Sequence, residues 1–216
     1  LLAFGVACAL FESRRSGKGQ VVDAAMVEGS SLLAAMYSGM LHEATWTEAR
    51  GANALDSGAP WYDVYETADG RFVAIGAIEA KFYAELLDRL GLAGERLPAQ
   101  HHRQGWPELR RRFAAAFRSK TRDEWCRVFE GSDACFAPVL SFSEARRHPH
   151  NVARRGYVAV GGLAQPAPAP RFSRTASAVP SPPPGRGAQG RAALADWGFP
   201  DAEIERLAAL GVGFAR

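Results

Sequence analysis

Cysteine, lysine and long apolar runs are all scarce in this 216-residue chain. The three cysteines, Cys8, Cys126 and Cys135, are odd in number and show no C-x-x-C spacing, which speaks against a disulfide framework or a zinc site and for a reducing compartment such as the cytoplasm. Lys18, Lys81 and Lys120 are the only lysines among 26 basic residues, so the mild net charge of +3 rests on arginine and is too small to argue for nucleic acid. Nucleic acid is not expected as a partner, while acidic small molecules remain possible. The apolar stretch from Leu1 to Phe11 is shorter than the ~20 residues a membrane-spanning helix needs. Its charges, from Glu12 to Lys18, follow the apolar part where a signal peptide would have them precede it. There is no G-x-G-x-x-G and no phosphate-loop lysine motif.

What remains is a composition, 47% hydrophobic and 23% charged, that builds one or two globular domains and excludes a disordered tail. The chain begins on Leu within a helical pattern, and is expected to be a fragment lacking its amino-terminal part.

Leu1 to Arg15 reads as a helix stopped by Gly17 or Gly19, Gln20 to Ala25 as a strand, and Met26 to Met40 as a second helix. After a Gly- and Asp-bearing connection, Trp61 to Glu66 and Arg71 to Ala77 read as strands joined at Asp69-Gly70. Helices are expected over Glu79 to Leu90, over Trp106 to Ser119 with Pro107 in its first turn, and over Thr121 to Phe129 with a Thr121/Glu124 capping box. Cys135 to Leu140 is a short strand, and a helical turn from Ser143 to Arg147 ends at Pro149. Seven of thirteen prolines fall between Gln165 and Pro184, a linker, and Pro200 opens a last helix ended by Gly211.

Glu79 is the leading catalytic candidate. It stands where a strand gives way to a helix, and the apolar neighbours Ile75 to Ile78 and Phe82 point to an apolar pocket. Helix dipoles favour its ionised form and desolvation its neutral one, a balance suited to accepting a proton from a weak carbon acid. The plainer reading is a first-turn residue of a surface helix. Asp56 and Asp63, flanking Gly58-Ala59-Pro60, are either a second acid/base pair or turn caps, the commoner use. Trp61, Tyr62 and Tyr65 either line a pocket or form core. His101, His102, His148 and His150 lack companions at ligand spacing, so no metal site is expected. Arg103 and Arg110 to Arg112 read as a solvated helix face. Ser30, Ser31 and Cys135 have no histidine partner for triad chemistry.

Four stretches resemble the family III CoA transferases, and within them the α-methylacyl-CoA racemases. They are SGKGQVVDAAMVEGS from Ser16, RGANALDSGAPWYDVYETADGRFVAIGAIEAKFY from Arg50, SDACFAPVLSFSEARRHPHN from Ser132, and APRFSRTAS from Ala169. The GAIE of Gly76 to Glu79 looks racemase-like, since the transferase branch usually carries a glycine-rich loop there. The resemblance implies that Glu79 is one of two bases exchanging the α-proton of a 2-methylacyl-CoA. The other, a histidine assisted by an aspartate, would lie upstream with most CoA-binding residues. It further implies that Leu55, Trp61 and Tyr62 line the acyl pocket and that no cofactor is needed beyond the acyl-CoA substrate. The implied fold is α/β, an interlocked homodimer of a Rossmann-like large domain and a small α/β domain. Residues 1–44 would be a remnant of the large domain, 45–59 a linker, 60–160 the small domain, 161–185 a Pro-rich linker, and 186–216 a helical return to the large domain. CoA transfer between carboxylic acids, through an aspartate nucleophile, is the rival within the family. A non-catalytic, truncated assembly module is the rival outside it.

Overall fold

The computed structural model describes residues 1–212. It falls into two compact units, Leu1–Val139 and Leu140–Arg216, and mixes helices with antiparallel strands.

The first unit opens with α1 (Leu2–Ser16), which ends in a left-handed Gly17 whose N–H reaches Ser13, with Arg14 and Arg15 at the negative end of the helix dipole. The expected strand from Gln20 to Ala25 is not formed. A strand exists only through ladder bonds to a neighbour, and no described segment pairs with this one. The single helix expected from Met26 is two, α2 (Met26–Leu33) and α3 (Ala35–His42), separated at Ala34, whose N–H is shared between the carbonyls of Ser30 and Ser31. None of the three helices contains a buried residue.

A three-stranded sheet follows, built from β1 (Tyr62–Glu66), β2 (Phe72–Gly76) and β3 (Phe136–Pro138) in the order β1-β2-β3, all antiparallel. The β1–β2 turn takes a left-handed backbone at Gly70 alone, with φ of 70°, while Thr67 closes the loop by donating to the Arg71 carbonyl. Side chains alternate across the sheet. Tyr65, Val73 and Ile75 face a core completed by Leu86 of α4 (Ala80–Arg89), Phe113 and Phe117 of α5 (Trp106–Phe117), and Trp125 of α6 (Arg122–Val128). Aromatic contacts run through that core, with Phe117 against Tyr65 at 5.2 Å and against Trp125 at 5.3 Å, and with Phe129 stacked on Phe136 at 4.3 Å. At roughly 1.5–3 kcal/mol for each large apolar side chain buried, this cluster dominates the unit's stability. The capping box of Thr121 with Glu124 is formed in full and starts α6 where expected.

In the second unit, Ser141 and Glu144 form a second capping box at the start of α7 (Phe142–Ala145). Pro149 does not end a helix; it sits in the first turn of α8 (Pro149–Ala153), where a missing N–H costs nothing. β4 (Tyr157–Val160) and β5 (Leu163–Pro166) form a hairpin absent from the sequence reading, part of it in the stretch read as linker. Gly161 and Gly162 form its two-residue turn, and both have positive φ, as the right-handed twist of the flanking strands requires. α9 (Gly190–Asp196) and α10 (Asp201–Ala209) close the unit, with Pro200 as N-cap and Ile204 fully buried.

Candidate functional site

β2 ends at Gly76, the chain turns through Ala77 and Ile78, and Glu79 takes the N-cap position of α4 with φ −75° and ψ 142°. An N-cap acid normally turns its carboxylate back onto the helix's free N–H groups. Glu79 makes no such bond. Among the described residues its carboxylate has no hydrogen-bond or ion-pair partner, so it is not committed to holding the fold. The sequence reading placed it in an apolar pocket; in the structure the side chain is exposed.

The turn that presents Glu79 is held from behind by Gln100. Its Nε2 donates to the carbonyls of Ala77 at 3.0 Å and Ile78 at 2.9 Å. Its own backbone carbonyl accepts from Trp61 Nε1 at 3.0 Å and Trp106 Nε1 at 2.9 Å. Trp61 is therefore a support rather than a pocket wall: it is 2% exposed and packs edge-on against Trp106 and His101. Gln100 was missed in the sequence because nothing local distinguishes a loop glutamine that bonds a turn more than twenty residues away.

Tyr62 alternates to the opposite face of β1 and stays 38% exposed, its ring lying over Gly76, where an added Cβ would touch Cδ2 and Cε2 at 3.6 Å. With Ser57, Val64, Ala74, Gly76 and Cys135 it lines a groove of about 340 Å³ on the open side of the sheet. The Cys135 thiol is pushed up from its ordinary value by burial first, then by the negative charges of Glu79 and Asp133. The Glu79 charge is thus felt at a residue that lines this groove, although Glu79 itself is not part of the lining. Leu55 is half-buried in the preceding loop.

That loop is a dense polar knot. Asn53, 1% exposed, donates to Thr47, Ala49 and Asp56 and accepts from the Thr47 N–H. Asp56 accepts from Gly51, Asn53 and Gly58 backbone N–H groups at 2.8 to 3.1 Å. Burial opposes ionisation of Asp56, but the Asn53 side chain and these backbone donors outweigh it and lower its pKa. Asp63 pairs with Arg110. Both aspartates are consumed as structural anchors, so they form no acid/base pair. Arg110 correspondingly leaves the solvated helix face expected for it, whereas Arg111 and Arg112 pair at the surface with Glu108 and Glu95. Among the described residues no group of three or more His, Cys, Asp or Glu side chains is placed to hold a metal, and no helix is long and apolar enough to cross a membrane.

The fold is shared with solved structures. A Mycobacterium tuberculosis protein, Rv3272, known from its crystal structure, superposes with a TM-score of 0.67 at 22% identity, over 88% of this chain and 52% of its own. In sequence, the chain matches the model of CoA-transferase family III over residues 1–190. The chain belongs to that family. It is 46% identical over 210 residues to the α-methylacyl-CoA racemase of Mus musculus and 42% identical to that of Homo sapiens. Each alignment covers 96% of this chain and 55% of the racemase, so the chain spans about half the length of these relatives.

Proposed function

We propose that this chain is the carboxyl-terminal part of a cofactor-independent 2-methylacyl-CoA racemase in which Glu79 is one of two proton-transfer groups. The observation that carries the reading is the uncommitted Glu79 carboxylate at the β2–α4 junction, beside the open sheet groove. The 46% identity to a racemase supports it. A thioester carbonyl acidifies its α-carbon. One base removes that proton, a planar enolate forms, and an acid on the opposite face returns a proton; each positioned group contributes roughly 10²–10⁴-fold.

Glu79 serves one face. The second base, a histidine with an assisting aspartate, and most CoA contacts belong to sequence upstream of Leu1, as does the donor that stabilises the enolate oxygen. The exposure of Glu79 is consistent with a site that upstream or partner-subunit surface closes. Leu55 and Tyr62 line the acyl pocket, and Trp61 supports, through Gln100, the turn that presents Glu79. The parent is an interlocked homodimer in the cytoplasm, its Rossmann-like large domain taking in residues 1–44 and 186–216 and its small domain residues 60–160. The 216-residue chain alone is inactive.

The family's name favours a second reading, transfer of CoA between carboxylic acids through an aspartyl mixed anhydride. Incubating the racemase-length protein with one enantiomer of a 2-methylacyl-CoA and a free acceptor acid separates the two. Epimerisation with CoA staying on its acyl group supports the racemase; CoA appearing on the acceptor acid without epimerisation overturns it. Loss of both reactions would leave the non-catalytic assembly module.

A further inference from the structure

From Ala145 to Ala195 the sequence carries eight arginines and not one carboxylate. Elsewhere the arginines are largely neutralised: Arg15, Arg89, Arg110, Arg111, Arg112 and Arg118 all pair with acids. Within this stretch, and among the described residues, Arg191 alone has an ion pair, with Glu205 at 2.7 Å. Such an excess is a surface that calls for an anion. Its shape says which kind.

Two of the unpaired residues, Arg155 and Arg171, line one cavity of about 350 Å³ with Pro168, Pro170, Phe172 and Ser177. Arg171 Nη2 donates to the Arg155 backbone carbonyl at 3.1 Å, which holds the Arg171 guanidinium against the segment that carries Arg155. Placing two cations together without a counter-charge is unfavourable, and an anion shared between them reverses the sign of that interaction. Guanidinium groups present planar forks of N–H donors that match phosphate oxygens, and Ser177 brings a hydroxyl donor to the same wall. Phe172 and the two prolines supply an apolar wall for a flat ring. The volume falls within the roughly 300–1,000 Å³ range of small-molecule pockets, whereas a nucleic acid or an anionic membrane calls for an extended flat stripe.

We infer that the Arg155–Arg171 cavity binds a small organic phosphate that carries an aromatic or heteroaromatic ring. The site lies in the second compact unit and stands independently of the racemase reading, which rests on Glu79 in the first.

Phenyl phosphate is the probe, titrated calorimetrically into the racemase-length protein, with inorganic phosphate and phenol as comparison ligands. Saturable one-to-one binding is expected, weaker for inorganic phosphate, absent for phenol and reduced by added salt. Arg155→Gln and Arg171→Gln should each weaken it about tenfold or more, the scale of one charge-assisted contact. Arg171→Lys, which keeps the charge and loses the fork, should fall between. Both arginines are exposed, so these variants should keep the parent circular dichroism spectrum. Arg186→Gln removes the same charge from the same stretch at a residue that does not line the cavity, and should change nothing. Absence of saturable binding, equal affinity for phenol, or an Arg186→Gln loss matching that of Arg171→Gln would each overturn the site.

Discussion

Arg110 on α5 donates through Nη1 to the carboxylate of Asp63 on β1. Its other nitrogen, Nη2, donates to the backbone carbonyls of Ser57 at 2.6 Å and Gly58 at 3.1 Å. One guanidinium thus joins a helix, a strand and the loop that lines the groove. The Asp63 side chain is only 12% exposed, so Arg110→Ala strands a poorly hydrated carboxylate and two carbonyls. A stability loss of about 2–3 kcal/mol is expected in urea unfolding. Arg110→Lys should recover part of it. A double-mutant cycle with Asp63→Ala that proves additive would remove the clamp.

Gly58 is required for space. A Cβ there would sit 2.5 Å from the Asn53 carbonyl oxygen and 2.6 Å from its nitrogen, both backbone atoms in the polar knot. Gly70, by contrast, has open space around a built Cβ and only a left-handed φ to satisfy. Gly58→Ala should therefore cost about 3 kcal/mol or prevent folding of the loop, and Gly70→Ala about 1 kcal/mol. Comparison of their thermal midpoints checks the order; equal shifts would contradict it.

Much of the fold was legible because its signals are local. The capping box at Thr121, the first-turn Pro107, the stop at Gly17 and the hairpin at Gly70 each act within a few residues of the feature they set. The failures are equally physical. Gln20 to Ala25 has strand composition but no partner among the described residues, and a strand is a property of two segments. Trp61 and Tyr62 are adjacent aromatic residues, yet one joins the core and the other the groove, because sheet alternation depends on which face is buried. The Gly161-Gly162 turn was hidden by the prolines that follow it. At the site, the position of Glu79 could be read from the change of periodicity, whereas its support by Gln100 is a long-range fact.

The Asp56 pKa is lowered in the folded chain, and this fixes the sign of one pH effect. A group more acidic folded than unfolded contributes stability that is complete above its unfolded value, about 3.9. That contribution is lost as pH falls through the folded value. Urea midpoints should therefore hold through neutral pH and drop on acidification below about pH 4, and Asp56→Asn should be less stable at neutral pH with a shallower acid limb. An unchanged acid limb in Asp56→Asn would show that this knot does not carry the effect.

α1, α2 and α3 expose large apolar residues, with Phe11 at 72%, Met26 at 90% and Leu33 at 79%. Surfaces of this kind associate. The isolated chain should bind a hydrophobic dye and self-associate with rising concentration in sedimentation velocity. A preparation that stays monodisperse and binds no dye would contradict that expectation.

The most direct test of the central claim follows hydrogen rather than turnover. In the racemase-length protein carrying Glu79→Gln, each enantiomer of a 2-methylacyl-CoA is incubated separately in deuterium oxide and the α-carbon is followed by NMR. If Glu79 serves one face and a different base the other, racemisation falls by about 10² or more. Deuterium uptake should then persist from the enantiomer whose α-proton faces the remaining base and vanish from its mirror image. Uptake from both enantiomers at the parent rate would contradict the role assigned to Glu79.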